Sequence, residues 1–322
     1  MFSGLATPYP WLMIAGEAGI TREREDGDGI IHERGVTSGR RSAPERRGTT
    51  RRYLMCPPEH FDVSYAINPW MRPDLPTDAT RAMRQWAELR QVYVDLGHHV
   101  DTIEPVPGLP DMVFAANGAT VIDGTVLGAR FRYPQRAPEA SAYLDWFRVR
   151  GYTSVRVPEH VNEGEGDILF AAGTPSTGGT LFAGYGFRSD QAAAAELAAA
   201  FGRPVISLRL VDPRFYHLDT AMCVLDADTV MYYPAAFDDA GRAAIADHFA
   251  ELIEAKDEDA EVLGLNAVSD GRHVILAAQA TGLAAQLRQH GFAPIGVNMS
   301  ELLKGGGGPK CCTLELRPAP GV

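Results

Sequence analysis

Short apolar runs alternate with amphipathic stretches along the chain from about residue 53 onward. In the clearest amphipathic stretch, apolar side chains recur every three or four positions, as at Met83, Trp86 and Leu89. This spacing puts them on one face of a helix and predicts a helix over about residues 78–96. The same spacing predicts further helices over about residues 137–150, 190–201, 239–255 and 280–290.

Short β-like runs accompany each predicted helix. One pair reads VFAAN and ATVIDGTVLGA, with hairpin-type dipeptides at Asn117-Gly118 and Asp123-Gly124. Later pairs read DILFAA and TLFAGY, TAMCVLD and TVMYYP, and LNAVSD and RHVILAAQ, while the final CTLEL joins the opening RYLMCP. The repeated hairpin, helix and strand predict an α/β fold made of a closed ring of five similar units. Placing the last strand beside the first removes exposed edges and gathers the loops on the axis.

The N-terminal part of the chain has a different composition. Residues 21–52 are dense in Arg, Glu, Asp, Gly and Ser and lack apolar periodicity. They also lack the charged and then apolar pattern of a secretory signal. We therefore predict a disordered extension over residues 1–50 and a single folded domain over residues 51–322.

Composition limits the class of protein. The chain has 322 residues, a hydrophobic share of 45% and a formal net charge of -11. These values are typical of a globular protein, and the negative charge disfavours a nucleic-acid partner. No apolar run approaches the length of a membrane span. The four cysteines form no CxxC pairs, which favours a reducing cytoplasm over a disulfide scaffold or a zinc site. The sequence does not determine the oligomeric state, and a homo-oligomer is one of the possible states.

The segment GGGGPKCCTLEL near the C-terminus is the most informative one. Four glycines allow the backbone to approach a ligand closely, so Cys311 could present its sulfur to a substrate. Lys310 and nearby backbone N–H groups would favour the thiolate. The structural alternative is a glycine-rich turn followed by Cys311 and Cys312 as small core residues.

Other predicted loops carry polar side chains that suit such a thiol. His217 and Asp219 stand at i and i+2 of an extended segment and therefore point to the same face. Acidic residues crowd the segment 162–167 among glycines, and arginines end two strands. A thiol, an imidazole and a carboxylate are the groups that nucleophilic catalysis requires. Extra carboxylates suit a planar guanidinium, and arginines suit the α-carboxylate of an arginine-like substrate.

Residues 51–317 resemble the guanidine-modifying enzymes of the pentein fold, which is a five-bladed αβ propeller. The motifs that carry the resemblance are MCPPEHFDVSYAINPWM, PDMVFAANGATV, EGEGDILF, GYGFRSD, FYHLDTAM and GGGGPKCC. The superfamily includes arginine deiminase, dimethylarginine dimethylaminohydrolase, amidinotransferases and arginine dihydrolases. The resemblance implies a hydrolase that acts on arginine or methylated arginine and needs no metal or organic cofactor.

The resemblance also implies roles for particular residues. Cys311 corresponds to the nucleophile and His217 to the general acid and base. Glu163 corresponds to the acid beside the guanidinium, with Glu165 as a rival because the spacing in EGEGD is ambiguous. The remaining matched positions, all implied to bind substrate, are Asn117, Asp219, Asp167, Arg130 and Arg188.

Asn117 bears on which substrate is implied. Deiminases and dimethylarginine hydrolases usually carry an aspartate there, whereas the dihydrolases resemble this chain. A neutral amide can donate to the oxygen of a ureido product and hold it for a second attack. We therefore expect arginine dihydrolase activity that gives ornithine, ammonia and CO2. The alternatives are dimethylarginine hydrolysis to citrulline and dimethylamine, amidino transfer, or a binding protein of the same fold without catalysis.

Overall fold

The computed structural model describes residues 45–173 and 178–318, and these belong to one compact unit. Within the described residues, fifteen short strands form five sheets of three strands each. In every sheet the middle strand pairs antiparallel with one neighbour and parallel with the other. The five-unit α/β architecture expected from the repeated pattern is therefore confirmed.

The sheets, in chain order of their middle strands, share one arrangement of hairpin strand, middle strand and crossover strand. They are β15 (Leu314–Glu315), β1 (Arg52–Met55) and β2 (His99–Thr102); β3 (Ala119–Ile122), β4 (Thr125–Gly128) and β5 (Ser154–Arg156); β6 (Ile168–Ala171), β7 (Thr180–Tyr185) and β8 (Val205–Arg209); β9 (Met222–Val224), β10 (Thr229–Tyr232) and β11 (Glu251–Glu254); β12 (Val268–Ser269), β13 (His273–Ala277) and β14 (Ala293–Val297).

A helix connects the two parallel strands of each sheet, as parallel pairing requires a long crossover. The α-helices are α1 (Ala79–Asp95), α2 (Glu139–Val149), α3 (Ala193–Phe201), α4 (Leu218–Ala221), α5 (Asp239–His248), α6 (Asp257–Ala260) and α7 (Thr281–Gln289). The 3₁₀ turns are Pro110–Val113, Ala115–Gly118, Gly164–Gly166, Pro234–Ala236 and Leu302–Gly305.

Helix α1 illustrates how local sequence sets an element. Asp78 is its N-cap, and the Asp78 side chain accepts a hydrogen bond from the backbone N–H of Arg81 at 2.9 Å. The predicted apolar face buries Trp86 and Leu89 against β1 and its neighbours. The backbone after the helix reverses at Gly97, whose φ of +84° is one that glycine adopts without strain.

The ring closes through its first and last strands. β1 pairs with β15 in antiparallel register, so that Tyr53 lies opposite Glu315 and Leu54 lies opposite Leu314. Leu54 and Leu314 are both fully buried. The C-terminal segment that carries Cys311 is thereby held beside the start of the domain, as the repeat pattern predicts.

Two predicted elements were wrong. VFAAN is not a strand, because residues 110–118 form two successive 3₁₀ turns whose polar side chains Asp111 and Asn117 are buried. The helix predicted over residues 239–255 ends at His248. Phe249 has an extended backbone, and the apolar residues after it form β11 along β10. In both cases partners distant in sequence decide the local conformation.

Residues 1–44 of the predicted N-terminal extension lie outside the described residues. Its last part, residues 45–50, contacts the folded unit. The guanidinium of Arg46 pairs with Asp226 and Glu251 and stacks on Phe292 at 4.2 Å. The backbone N–H of Thr49 donates to the carbonyl of Asp270 at 2.9 Å. These residues therefore pack on the fourth and fifth sheets.

Among the described residues, no helix combines the length and the apolar character that crossing a bilayer requires.

Removing the cap of α1 tests the local account of this helix. Asp78→Ala leaves the N–H of Arg81 without its side-chain acceptor, so we expect the free energy of unfolding to fall by about 1 kcal/mol. Asp74→Ala is the matched control, since Asp74 is exposed and pairs only with nearby Arg72. The control should leave the free energy of unfolding unchanged in urea unfolding followed by circular dichroism, because an exposed ion pair contributes little to stability. Equal losses in both variants would contradict the cap.

Candidate active site

Four of the predicted site residues lie just before the first strand of successive sheets. Asn117 precedes β3, Glu163 precedes β6, His217 precedes β9 and Cys311 precedes β15. In the fifth unit the corresponding position, two residues before β12, is occupied by Asn266. The ring therefore gathers one polar position from each unit.

Cys311 is buried, and its sulfur contacts two polar side chains. Asn266 Nδ2 lies 3.0 Å from Cys311 Sγ, and Asp219 Oδ2 lies 3.3 Å from it. Burial, followed by the charge of Asp219, raises the pKa of the Cys311 thiol well above its usual range. In this structure the thiol is therefore neutral and donates to Asp219.

The prediction that Lys310 favours the Cys311 thiolate was wrong. The Lys310 ammonium does not face the thiol but pairs with Glu165 at 2.6 Å and donates to the carbonyl of Thr313 at 3.0 Å. A cation that would favour the Cys311 thiolate must come from a bound ligand instead.

His217 and Glu163 form the second part of the cluster. His217 Nε2 lies 2.7 Å from Glu163 Oε2, and the same oxygen accepts from Arg188 Nη1 at 2.7 Å. Burial opposes ionisation of Glu163, but Arg188 and then His217 outweigh it and hold the pKa of this carboxyl well below its usual range. Glu163 is thus a buried, charged carboxylate with two cationic or polar partners.

The two rival acids have different surroundings. Glu165 does not contact His217; it pairs with Lys310 and with Arg317, and it accepts from the backbone N–H of Glu315 at 3.1 Å. Despite burial, Arg317 and Lys310 lower the pKa of the Glu165 carboxyl. Glu165 connects the 3₁₀ turn Gly164–Gly166 to β15 through its contact with Glu315, whereas Glu163 faces the imidazole of His217.

The remaining two predicted carboxylates support the histidine turn and the thiol. Asp167 accepts from the backbone N–H of Leu218 at 3.1 Å and from the Ser189 hydroxyl at 2.6 Å, and its Oδ2 lies 4.0 Å from His217 Nε2. Burial raises the pKa of Asp167 to about 6. Burial also raises the pKa of Asp219 to about 7, although Lys310 acts in the opposite direction.

Glycines make the close approach of these turns possible. Gly164 has φ of +55°, and a Cβ there would lie 2.6 Å from the carbonyl oxygen of Ala116. A Cβ on Gly166 would lie 2.2 Å from Asn117 Nδ2 and 3.2 Å from His217 Nδ1. The glycines of EGEGD therefore let the acidic turn pack directly against the amide and the imidazole.

Asn117 connects the acidic turn to an arginine that the sequence interpretation missed. Asn117 Nδ2 donates to the carbonyl of Glu163 at 3.2 Å, and its Oδ1 accepts from Arg136 Nη1 at 2.7 Å. Arg136 is buried, pairs with Glu139 at 2.8 Å and lies 3.8 Å from Asp111 Oδ2. The sequence marks Arg136 only by its spacing, because it lies three residues before Glu139, the first residue of α2.

Arg130 and Arg188, which were both predicted to bind the substrate, lie in different surroundings. Arg188 is buried in the cluster, donates to the carbonyl of Ile67 at 3.0 Å and lies between the rings of Tyr133 and Tyr216. The Arg130 side chain, in contrast, is exposed and donates to the carbonyl of Glu159 at 2.8 Å. Placing Arg130 in the binding site was therefore wrong. Its backbone forms a bridge with Asn162, which directs alternate side chains outward.

Three buried polar atoms around the cluster have no hydrogen-bond partner among the described residues. They are His217 Nδ1, Asp219 Oδ1 and Asp111 Oδ1. Each can accept an N–H bond, and leaving such atoms unpaired is costly. The site is thus suited to a ligand rich in N–H donors.

Three cavities among the described residues are lined by other side chains than those of Cys311, His217, Glu163 and Asn117. A cavity of about 490 Å³ lies elsewhere and is lined by Lys310, Thr313 and Arg317 among others. Its charged side chains pair with one another, as Arg51 does with Glu315. Within the described residues, no group of three or more His, Cys, Asp or Glu side chains is arranged to hold a metal ion.

The surroundings of Cys311 predict how its reactivity depends on pH. Because burial and Asp219 raise the pKa of the thiol, we expect alkylation by iodoacetamide to accelerate about tenfold per pH unit from 7 to 9 without a plateau. Peptide mapping by mass spectrometry identifies the modified cysteine, with Cys311→Ser as the control. A plateau below pH 8 would show instead that the free protein already holds a thiolate.

Comparison with known proteins relates this geometry to a family. The family profile described as N,N dimethylarginine dimethylhydrolase, eukaryotic, matches residues 62–318. The N(G),N(G)-dimethylarginine dimethylaminohydrolase of Mycobacterium tuberculosis is 53% identical over 88% of this chain and 92% of its own length. The bifunctional arginine dihydrolase/ornithine cyclodeaminase ArgZ of Synechocystis is 38% identical over 82% of this chain, but this covers 37% of that longer protein.

Solved structures share the fold. The N-terminal domain of the arginine dihydrolase ArgZ, bound to product, superposes with a TM-score of 0.78 at 36% identity, over 84% of this chain and 98% of that domain. A dimethylarginine dimethylaminohydrolase bound to S-methyl-L-thiocitrulline superposes with a TM-score of 0.70 at 18% identity, over 83% of this chain and 100% of that one. The latter likeness concerns the fold alone. The chain belongs to the dimethylarginine dimethylhydrolase family within the pentein superfamily, and it is a hydrolase that acts on C–N bonds of guanidino groups.

Proposed function

We propose that this protein is an arginine dihydrolase that converts arginine to ornithine, two ammonia molecules and CO2. The observation that carries the proposal is the neutral carboxamide of Asn117 in the cluster, between Arg136 and the Glu163 turn. A carboxylate there would attract the guanidinium of the substrate but repel the oxygen of the ureido product. The amide can serve both groups, because it donates as well as accepts.

The charges of the site suit the two ends of arginine. Asp219 and Glu163 are acids beside the predicted nucleophile and histidine, and they complement a guanidinium. At the other end, Arg136 and Asp111 lie close together with opposite charges, which complements an α-carboxylate and an α-ammonium. The unpartnered Oδ1 atoms of Asp219 and Asp111 would then each accept an N–H of the substrate.

Substrate entry requires local opening. Cys311, His217, Glu163 and Asn117 are all buried. Residues 65–68 contact the surroundings of the cluster, through Tyr65 to Asp111, the carbonyl of Ile67 to Arg188 and Asn68 to the glycine loop. We infer that this segment moves to admit substrate and closes to exclude water.

The first cycle begins when the guanidinium cation binds and favours the thiolate. The thiol proton passes to Asp219, which already accepts it, and the Cys311 sulfur attacks the guanidinium carbon. His217, held by Glu163, protonates the departing nitrogen, and ammonia leaves. Water activated by His217 then attacks the amidino-cysteine, the C–S bond breaks, and citrulline forms. The Glu163 carboxylate keeps its charge and stabilises positive charge throughout, and Asp219 returns its proton to the sulfur when the C–S bond breaks.

The second cycle repeats the chemistry on the ureido carbon. Asn117 would hold the ureido oxygen while Cys311 attacks again and a second ammonia leaves. Hydrolysis of the resulting thiocarbamate gives a carbamate, which loses CO2 to yield ornithine. Two water molecules are consumed in total.

Dimethylarginine hydrolysis is the second candidate. It is favoured by the 53% identity to the mycobacterial protein named for that activity. In that case one cycle releases dimethylamine and citrulline, and the Asn117 amide would not need to hold the ureido oxygen for a second attack. Both candidates use the same cysteine, histidine and acid.

Product analysis separates the two. Purified protein is given arginine and, separately, asymmetric dimethylarginine, with Cys311→Ser as the control. We expect ornithine and two ammonia per arginine consumed. Dimethylamine and citrulline from the methylated substrate, without turnover of arginine, would support the second candidate. Turnover that survives in Cys311→Ser would contradict both.

Replacing Asn117 with aspartate tests its proposed task. Asn117→Asp should still consume arginine but release citrulline, with the ratio of ornithine to citrulline lowered at least about tenfold, because the carboxylate repels the ureido oxygen. Asn162→Asp is the matched control, since Asn162 is also buried and its Oδ1 accepts from the backbone of the same turn. An unchanged product ratio in Asn117→Asp would contradict the role of the amide.

Exchanging each rival acid for its amide distinguishes their roles. Glu163→Gln should lower kcat about a hundredfold or more per folded molecule, since His217 loses its charged partner. Glu165→Gln leaves Lys310 and Arg317 without a carboxylate, so it should mainly lower the free energy of unfolding, by about 3 kcal/mol. The reverse pattern, in kinetics normalised to folded protein, would make Glu165 the catalytic acid.

A further inference from the structure

Asn266 is the buried asparagine whose contacts converge on Cys311. Its Oδ1 accepts from the backbone N–H of Cys311 at 3.1 Å and from that of Gly308 at 3.0 Å. Its Nδ2 donates to the carbonyl of Asp219 at 3.1 Å and to Cys311 Sγ at 3.0 Å. The side chain is fully buried. Both lone-pair positions of the oxygen and both hydrogens of the amide are thus in use.

These contacts determine which way the amide points. Two backbone N–H groups approach one atom of the amide, and only the oxygen can accept them. The NH2 group must therefore face Cys311 Sγ and the Asp219 carbonyl. A flipped amide would put donors against donors on one side. The two backbone N–H groups therefore determine that the amide points its N–H donor at the sulfur.

The sulfur faces few other groups that could stabilise a negative charge. The titratable groups around it are Asp219, Cys312 and Tyr216, and none of them is a cation. The backbone N–H of Gly308 favours the thiolate by lowering the pKa of the thiol, although burial outweighs it. Lys310, the adjacent lysine, pairs with Glu165 instead. Among the side chains of the described residues, Asn266 is the one that donates a hydrogen bond to Cys311 Sγ.

We propose that Asn266 is a further catalytic residue, whose Nδ2–H stabilises the Cys311 thiolate both before attack and when the thiolate leaves. The proposal rests on Cys311 being the nucleophile of the proposed function. The hydrogen bond is strongest while the sulfur is charged and weakens once the C–S bond forms, because a thioether sulfur is a poor acceptor. No proton leaves Asn266 in either half of the reaction.

Asn266 also sets the spacing between the thiol and its neighbouring carboxylate. It holds the Cys311 backbone with its oxygen and the Asp219 backbone with its nitrogen. The distance of 3.3 Å between Cys311 Sγ and Asp219 Oδ2 therefore depends on a single side chain that bridges the two segments. Both the charge of the sulfur and its position relative to the guanidinium follow from this bridge.

Asn266→Asp tests the proposal with nearly the same shape. The aspartate keeps an oxygen for the two backbone N–H groups but replaces the donor to the sulfur with an acceptor. We expect the apparent pKa for alkylation of Cys311 by iodoacetamide to rise by at least about one unit, which is about a tenfold slower reaction at pH 7. The value of kcat should fall by at least about tenfold as well.

Asn298→Asp is the matched control. Asn298 is exposed, and its Oδ1 likewise accepts from a backbone N–H, that of Ser300. It should leave the alkylation profile and kcat unchanged. If Asn266→Asp lowers the thermal midpoint while the pH profile of alkylation stays as in the unaltered protein, Asn266 is a structural anchor only and the proposal is overturned.

Alkylation requires no turnover, so it separates this proposal from the proposed function. A shifted profile in a protein that hydrolyses neither arginine nor dimethylarginine would refute the function and leave the thiolate contact standing. Should Asn266→Asp not fold, the unaltered protein supplies a second measurement. The side-chain amide resonance of Asn266 in ¹H–¹⁵N spectra should shift as the Cys311 thiol titrates and not in Cys311→Ser; a resonance insensitive to that titration overturns the proposal.

Discussion

The antiparallel pairing of β1 with β15 is the contact on which the rest of the site depends. Two short strands from opposite ends of the domain meet there, with Leu54 opposite Leu314 in the core. This pairing completes the ring and brings the cysteine turn to the axis, next to turns from the other units. Without it, one edge of β1 would be unpaired and Cys311 would have no fixed relation to His217.

Ring closure has an electrostatic consequence, because it buries many charged groups in one place. Two of the buried carboxylates have several partners each: Glu163 pairs with Arg188 of its own unit and with His217 of the next one, and Glu165 pairs with Lys310 and Arg317 from the C-terminal segment. Such pairs contribute little net stability compared with apolar packing, but breaking one leaves a charge in a medium of low dielectric constant. The pairs therefore constrain the arrangement of the turns more than they add to stability.

The site combines this rigidity with unmet hydrogen-bonding capacity. Asp219 and Asp111 each keep one unpartnered oxygen among the described residues, and the thiol of Cys311 is held neutral by burial. A bound guanidinium would supply both the missing N–H donors and the positive charge that favours the thiolate. In the first cycle, substrate binding and activation of the nucleophile are in this way the same electrostatic event.

The amino-acid sequence by itself determined the repeated units and the helix α1 with its apolar face, and its motifs implied a site made of Cys311, His217 and one of the two acids Glu163 and Glu165. These follow from short-range periodicity and from motif positions, which are local properties of the chain. The sequence did not determine that Arg130 points outward while Arg136 points inward, nor that Lys310 turns from the thiol toward Glu165. It also gave no reason to single out Asn266. Those outcomes depend on contacts between segments that are distant in sequence. Locally, each of these side chains could point inward or outward at similar free energy. Only a partner from another part of the chain makes one orientation the more stable.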